Sequence, residues 1–119
     1  MKQITSLLAV LLVLLASCSN EPEVTGDAFV PREVFIDVLV DIHLVDGITQ
    51  ERMFYRRYKD VDSIDVLSPI FDKHGIDAAS FDTTMYAYSR YPELYDQIYN
   101  EVLMKLNMML DELDNSPEK

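Results

Sequence analysis

Between Pro92 and Pro117 the residues Leu94, Ile98, Val102, Leu103, Leu106, Met109, Leu110 and Leu113 return every three or four positions. That spacing lines one wide face of an α-helix. Pro92 suits a first helical turn, where its missing N–H costs nothing, Glu93 favours the positive helix start, and Asn115-Ser116-Pro117 ends the run. A lone helix of this length is only marginally stable in water, so the rest of the chain must supply surfaces that cover the face. No segment alternates with period two over a useful length, which excludes a sheet as the cover. The expected fold is all-α.

Three further helices follow from the same reasoning. Pro31 opens the first, with Glu33 in its first turn and Val34, Phe35, Val38, Leu39, Ile42 and Val45 at helical spacing. Gly47 costs about 1 kcal/mol there relative to Ala, so the helix either kinks there or ends and resumes through Gln50 to Tyr58; of the two, one long, imperfect helix is the form expected. A second helix, capped by Asp62 or Ser63, carries Ile64, Leu67, Ile70 and Phe71 and stops at Lys73-His74-Gly75. Asp77 caps a third, with Phe81, Met85 and Tyr88, which ends before Pro92. The domain is thus a small four-helix unit over residues 31–114, with a polar tail at 115–119.

Ahead of it lies a segment of a different kind. Met1-Lys2-Gln3 carries one positive charge, and residues 4–16 are apolar and uncharged, the layout of an export signal. The run is too short for a permanent membrane span, which needs roughly 18 or more apolar residues. Leu15-Ala16-Ser17-Cys18 resembles the lipobox of bacterial lipoproteins, in which the cysteine takes a diacylglycerol, cleavage falls just before it and the new amino group is acylated. Residues 1–17 are therefore expected to be removed and Cys18, the sole cysteine, to carry the lipid, palmitate or a similar chain. No intrachain disulfide can form with one cysteine. Several acyl chains, at about 0.8 kcal/mol per buried methylene, hold a protein firmly without a spanning helix.

Residues 18–30 then read as lipidated cysteine and flexible acidic tether, including Pro22 and Gly26 and no apolar period. Its start, Ser19-Asn20-Glu21-Pro22-Glu23, resembles acidic signals that send some lipoproteins of the Bacteroidetes to the cell surface. Loss of residues 1–17 removes Lys2 and no acid, leaving nine basic against 21 acidic residues, a net charge of −12. Such a chain is repelled by nucleic acid and anionic headgroups alike, which excludes nucleic-acid binding and leaves membrane attachment to the lipid.

Within the domain three groups could bind something. Asp41, His43 and Asp46 combine imidazole with carboxylate, the chemistry of a metal ligand or proton shuttle, although at 100° per residue only His43 and Asp46 share a face. The plainer reading is a structural His43 bonded to Asp46 or to another helix, with His74 explained by its place at a helix C-terminus. Arg52, Arg56, Arg57 and Lys59, interleaved with Phe54, Tyr55 and Tyr58, form a basic-aromatic cluster suited to an acidic protein, glycan or lipid group. Its plainer reading is a solvated helix end paired with Asp60, Asp62 and Asp65. Tyr86, Tyr88, Tyr91, Tyr95 and Tyr99 surround the turn before the last helix, with Arg90 among them. They suit an interface or a sugar, or simply close a small core with their hydroxyls in water. Met104, Met108 and Met109 read as core filling, or as an adaptable groove if exposed.

Three stretches together, Val40-Asp41-Ile42-His43-Leu44-Val45-Asp46, Ile70-Phe71-Asp72-Lys73-His74-Gly75-Ile76 and residues 81–92 leading into Ile98-Tyr99-Asn100-Glu101-Val102-Leu103, resemble the domain-of-unknown-function family 4296, short lipoproteins of the Bacteroidetes. The resemblance covers about residues 31–110 and implies an envelope lipoprotein with a helical fold; it brings no catalytic residues. Nor does the sequence hold a Gly-Xaa-Ser-Xaa-Gly, a His-Glu-Xaa-Xaa-His, a phosphate loop or a second cysteine for a nucleophile. The expectation is a non-enzymatic interaction module without cofactor or metal, held at the outer membrane by Cys18 and docking on another envelope protein or complex. The alternative is a small-ligand or glycan binder using the tyrosine-arginine surface at Tyr88, Arg90, Tyr91 and Tyr95.

Overall fold

Three consecutive residues, Val38, Leu39 and Val40, point in three directions around a helix, yet all three are buried in the computed structural model of the chain. Only a helix covered on several sides permits this. That helix is α1 (Arg32–Thr49), and the others wrap it: α2 (Arg52–Tyr58), α3 (Ser68–His74), α4 (Ala78–Ser89) and α5 (Pro92–Asp114). The structure describes Met1 and residues 23–61 and 64–116; Cys18 and the stretch expected to be a lipobox lie outside them. Among the described residues every regular element is α-helical, as the periodicity predicts.

The centre of the core is aromatic. Phe35, fully buried, lies 5.3 Å from the ring of Tyr88 and 5.4 Å from that of Phe81, which in turn meets Phe71 at 5.1 Å. Four rings from α1, α3 and α4 are thereby joined, and offset or tilted pairs of this kind add about 0.5–1.5 kcal/mol each beyond area burial. Ile36, Val38, Ile98 and Val102 close the α1–α5 contact at 0–1% exposure. Ion pairs of Arg32 with Glu101 and of Lys105 with Asp37 flank it.

The first helix departs from the expected form. Gly47 stays inside α1, and the break falls after Thr49, where Gln50 is still helical but Glu51 is extended (ψ 133°). Asp46 gathers donors beside the stop: its carbonyl accepts from Gln50 N–H and the Thr49 hydroxyl, its carboxylate from Gln50 Nε2. The helix expected to run to Tyr58 is therefore two, α1 and α2, and the domain has five helices among the described residues instead of four. Asp62 and Ser63, the expected caps of the next helix, lie outside the described residues. Asp65 takes the role, its Oδ1 accepting from Leu67 N–H at 3.2 Å and Ser68 N–H at 3.0 Å, and Pro69 follows in the first turn.

Other signals act as read. Gly75 ends α3 with φ 66°, and the N–H groups of Gly75 and Ile76 return to Asp72 and Phe71 in a Schellman turn. Asp77 caps α4, accepting from Ser80 N–H at 2.8 Å. The segment expected as tether is packed at its end: Val24 leans on the core and Val30 is 2% exposed. One buried hydroxyl fixes that docking, because Thr84 accepts from Val30 N–H at 2.8 Å while donating to Ser80 O at 2.7 Å.

Thr84→Val keeps the shape and leaves Val30 N–H buried without a partner, a loss of about 1–3 kcal/mol. Urea denaturation of the two proteins checks it. Thr83→Val, where an exposed hydroxyl only bonds back to Ala79, is expected to stay within about 0.5 kcal/mol of the parent.

Candidate functional site

The structure redistributes the sequence candidates. Asp41 turns toward α3, where its Oδ2 accepts from Lys73 Nζ at 2.7 Å and from His74 Nε2 at 2.6 Å. His43 is exposed and sits edge-on to Tyr99, with ring centres 5.8 Å apart. Asp46 serves the end of α1 as described. The trio therefore does not converge, and the imidazole that meets a carboxylate is His74, placed by the α3 stop signal one turn from the core residues Ile70 and Phe71. No sequence spacing announces that pairing, since it joins positions 33 apart. Among the described residues no group of three His, Cys, Asp or Glu side chains is placed to hold a metal ion.

Burial by itself would raise the Asp41 carboxyl, but the hydrogen bonds and charges of Lys73 and His74 outweigh it and hold the group below its ordinary 3.8. Asp41 thus links the middle of α1 to the end of α3 through its charged form.

The tyrosines divide in the same way. Tyr88 is 4% exposed and stacks on Phe35, so it belongs to the core; burial raises its hydroxyl. Tyr95 and Tyr99 stack on each other at 4.7 Å, and burial together with the Tyr95 hydroxyl pushes Tyr99 up to about 12. Arg90 lies over the Tyr86 ring on the outer face, 5.8 Å from its centre, with Tyr91 exposed beside it. Arg90 and Tyr91 remain available at the surface, whereas Tyr88 contributes only to the wall of a cavity of about 600 Å³ shared with Arg32, Leu94, Gln97 and the 23–31 segment.

Arg56 and Arg57 are exposed on α2, and among the described residues neither forms the expected ion pair with Asp60 or Asp65. Their helix borders a largely apolar groove of about 940 Å³ that sequence reading missed. Leu44, Val45 and Ile48 of α1 form one wall, Phe54 and Tyr58 of α2 another, and Val61, Ile64, Pro69 and Ile70 the floor. The break after Thr49 lets α2 bring Phe54 and Tyr58 to the same groove as Ile48. Opposite in character is the end of α5, where Leu103, Leu110 and Leu113 are 55%, 58% and 71% exposed. Leu110 and Leu113 lie past the last core contacts of the helix, whereas Leu103, beside fully buried Val102, faces sideways out of the α1–α5 contact.

Asp41→Asn is expected to cost about 1–2 kcal/mol near neutral pH, where the native carboxylate is charged and paired. A folded-state pKa below 3.8 means the stabilisation is complete above that pH and disappears as pH falls through the lower folded value. Urea midpoints at pH 6 and in the acid range below 3.8 are therefore expected to show a gap that closes on acidification.

Comparison with known proteins adds a family. The model described as "Domain of unknown function (DUF4296)" matches residues 27–112, which span all five helices up to the last turn of α5. No match was found among curated proteins or among solved structures. Covering well over half of the sequence, the family match settles membership: this chain belongs to the DUF4296 family.

Proposed function

We propose that the protein is a lipid-anchored, non-enzymatic interaction module of the bacterial cell envelope, tethered to the outer membrane through Cys18 and docking on another envelope protein through the end of α5. The observation that carries the reading is the exposed apolar surface of α5, where Leu103, Leu110 and Leu113 are 55%, 58% and 71% exposed on one side and Met104 and Met108 are 55% and 57% exposed on another. Apolar surface gathered on one projecting helix is disfavoured in a free monomer and characteristic of a surface that meets a partner. Methionines beside it supply an adaptable contact. The lipobox supports the address, and no helix among the described residues is long and apolar enough to cross a membrane, so a covalent anchor is the attachment the sequence offers.

A second reading, a small-ligand or glycan binder, draws on the cavity lined by Tyr88, Arg32 and Gln97, which combines an aromatic wall with polar groups. A thermal-shift screen of sugars and small amphiphiles tests it; no shift in melting temperature with any of them counts against it.

Two outcomes test the leading reading. Cys18→Ser is expected to move the protein from the membrane to the soluble fraction and to abolish the acyl mass on the native chain, both read after cell fractionation by mass spectrometry. A photo-crosslinking residue at Leu110, in the full chain and in intact cells, is expected to give a discrete protein adduct, whereas one at Thr83 gives none. Absence of any adduct at Leu110 would remove the docking proposal.

A further inference from the structure

Most of the segment between Cys18 and α1 is part of the domain. Val24 packs against the core, and Phe29 N–H returns to Gly26 O at 3.0 Å in a turn that begins at Gly26, where φ is 121°. Val30 is buried, with its N–H on the Thr84 hydroxyl. Residues 24–30 thus form a strap laid across one end of the molecule, and only residues 19–23 separate Cys18 from Val24. At full extension that connection reaches no more than about 20 Å, half of what a free segment up to Val30 would reach.

The strap marks which end is held. It lines the cavity of about 600 Å³ together with Arg32 at the start of α1, Tyr88 near the end of α4 and Leu94 at the start of α5. Arg90 and Tyr91, both exposed, form the turn between α4 and α5 at that same end. Arginine and tyrosine suit the headgroup layer of a bilayer, where an apolar body lies against lipid and a polar tip stays in water. The opposite end has another character. Leu113 lies about 28 Å farther along the α5 axis than Leu94, at about 1.5 Å of rise per residue. Asp111, Glu112 and Asp114 surround it, the last turn holds no basic residue, and Lys105, the nearest cation before it along α5, is paired with Asp37.

We infer that the strap end of the domain, residues 23–31 with the Arg90–Tyr91 turn, is the face turned to the lipid surface, and that the end of α5 points away from it. The inference rests on the lipid anchor at Cys18 proposed above and adds the orientation. Glu23, Asp27 and Glu93 also stand at the strap end, so charge does not draw that end to the membrane; the short connection does. The acids at the end of α5 are repelled by anionic headgroups in the same way, and the connection does not oppose that repulsion there. The apolar surface of α5 is thereby presented to a partner approaching from the side away from the bilayer.

The test uses the full-length, lipidated protein purified from cells and inserted into preformed vesicles of phosphatidylethanolamine and phosphatidylglycerol. With the sole native cysteine acylated, Asp27→Cys, Ser89→Cys or Asn115→Cys, all at exposed positions, takes a single fluorophore, and lipids carrying a quencher on the headgroup report its proximity. Quenching at positions 27 and 89 is expected to exceed that at 115 at least threefold. Insertion of twelve Gly and Ser residues between Glu21 and Pro22 makes the reach about three times longer and is expected to lower quenching at 27 at least twofold. Circular dichroism matching that of the parent excludes misfolding of the variants. Equal quenching at the three positions, stronger quenching at 115, or an insertion without effect, on a chain whose acyl mass is confirmed, would overturn the orientation and leave the anchored reading in place. Absence of the acyl mass would overturn both.

Discussion

Everything in this domain is built on the burial of α1. Its residues Phe35, Ile36, Val38, Leu39 and Val40 are all at or below 6% exposure, so four other helices and the 23–30 segment have one common surface to pack on. Phe35 occupies the centre and meets rings from α4 directly and from α3 through Phe81. A core of about a dozen buried apolar side chains is small for its chain length, and each large one contributes roughly 1.5–3 kcal/mol by leaving water. Against the entropy of ordering the backbone, such a core leaves little margin. Secondary contacts therefore carry weight here that they would not in a larger protein: the Thr84 hydroxyl that pins Val30, and the Asp41 carboxylate that ties α3 to α1.

The same smallness explains the exposed apolar surface. A central helix can be covered completely only near its own middle, and the helices around it then present their outer parts to water. The last turns of α5 extend beyond the cover, and the C-terminal half of α1 is met by α2, whose seven residues are too few to fill the space. An uncovered stripe and an unfilled groove result from one geometric fact, the unequal lengths of elements packed on α1.

Much of this was legible residue by residue. The Asp77 cap, the Gly75 stop and the start at Pro92 are local events, decided by side chains and backbone within a few positions, and sequence reading places each correctly. The end of α1 was not legible, because Gly47 is the visible weak point and yet its neighbours keep it helical. The stop falls after Thr49 instead, where Glu51 turns extended beside an Asp46 that accepts from the Thr49 hydroxyl and the Gln50 side chain. Asp65 was not singled out either, although Pro69 marks where the first turn of α3 begins and Asp65 stands at the right distance before it to accept from Ser68 N–H.

Sites were harder still. Sequence proximity suggested Asp41 with His43 and Asp46, whereas Asp41 found its partners across the α1–α3 contact, and Tyr88 went to the core while its neighbours Arg90 and Tyr91 stayed outside. The sequence by itself determined helical character, the Asp77 cap, the Gly75 stop, the start at Pro92 and the acidic charge, because these follow from local spacing and composition. Tertiary structure alone decided which faces were left uncovered, where the groove lies and which carboxylate met which cation. Those properties depend on how elements of different lengths cross, and a crossing brings together residues whose separation along the chain carries no signal.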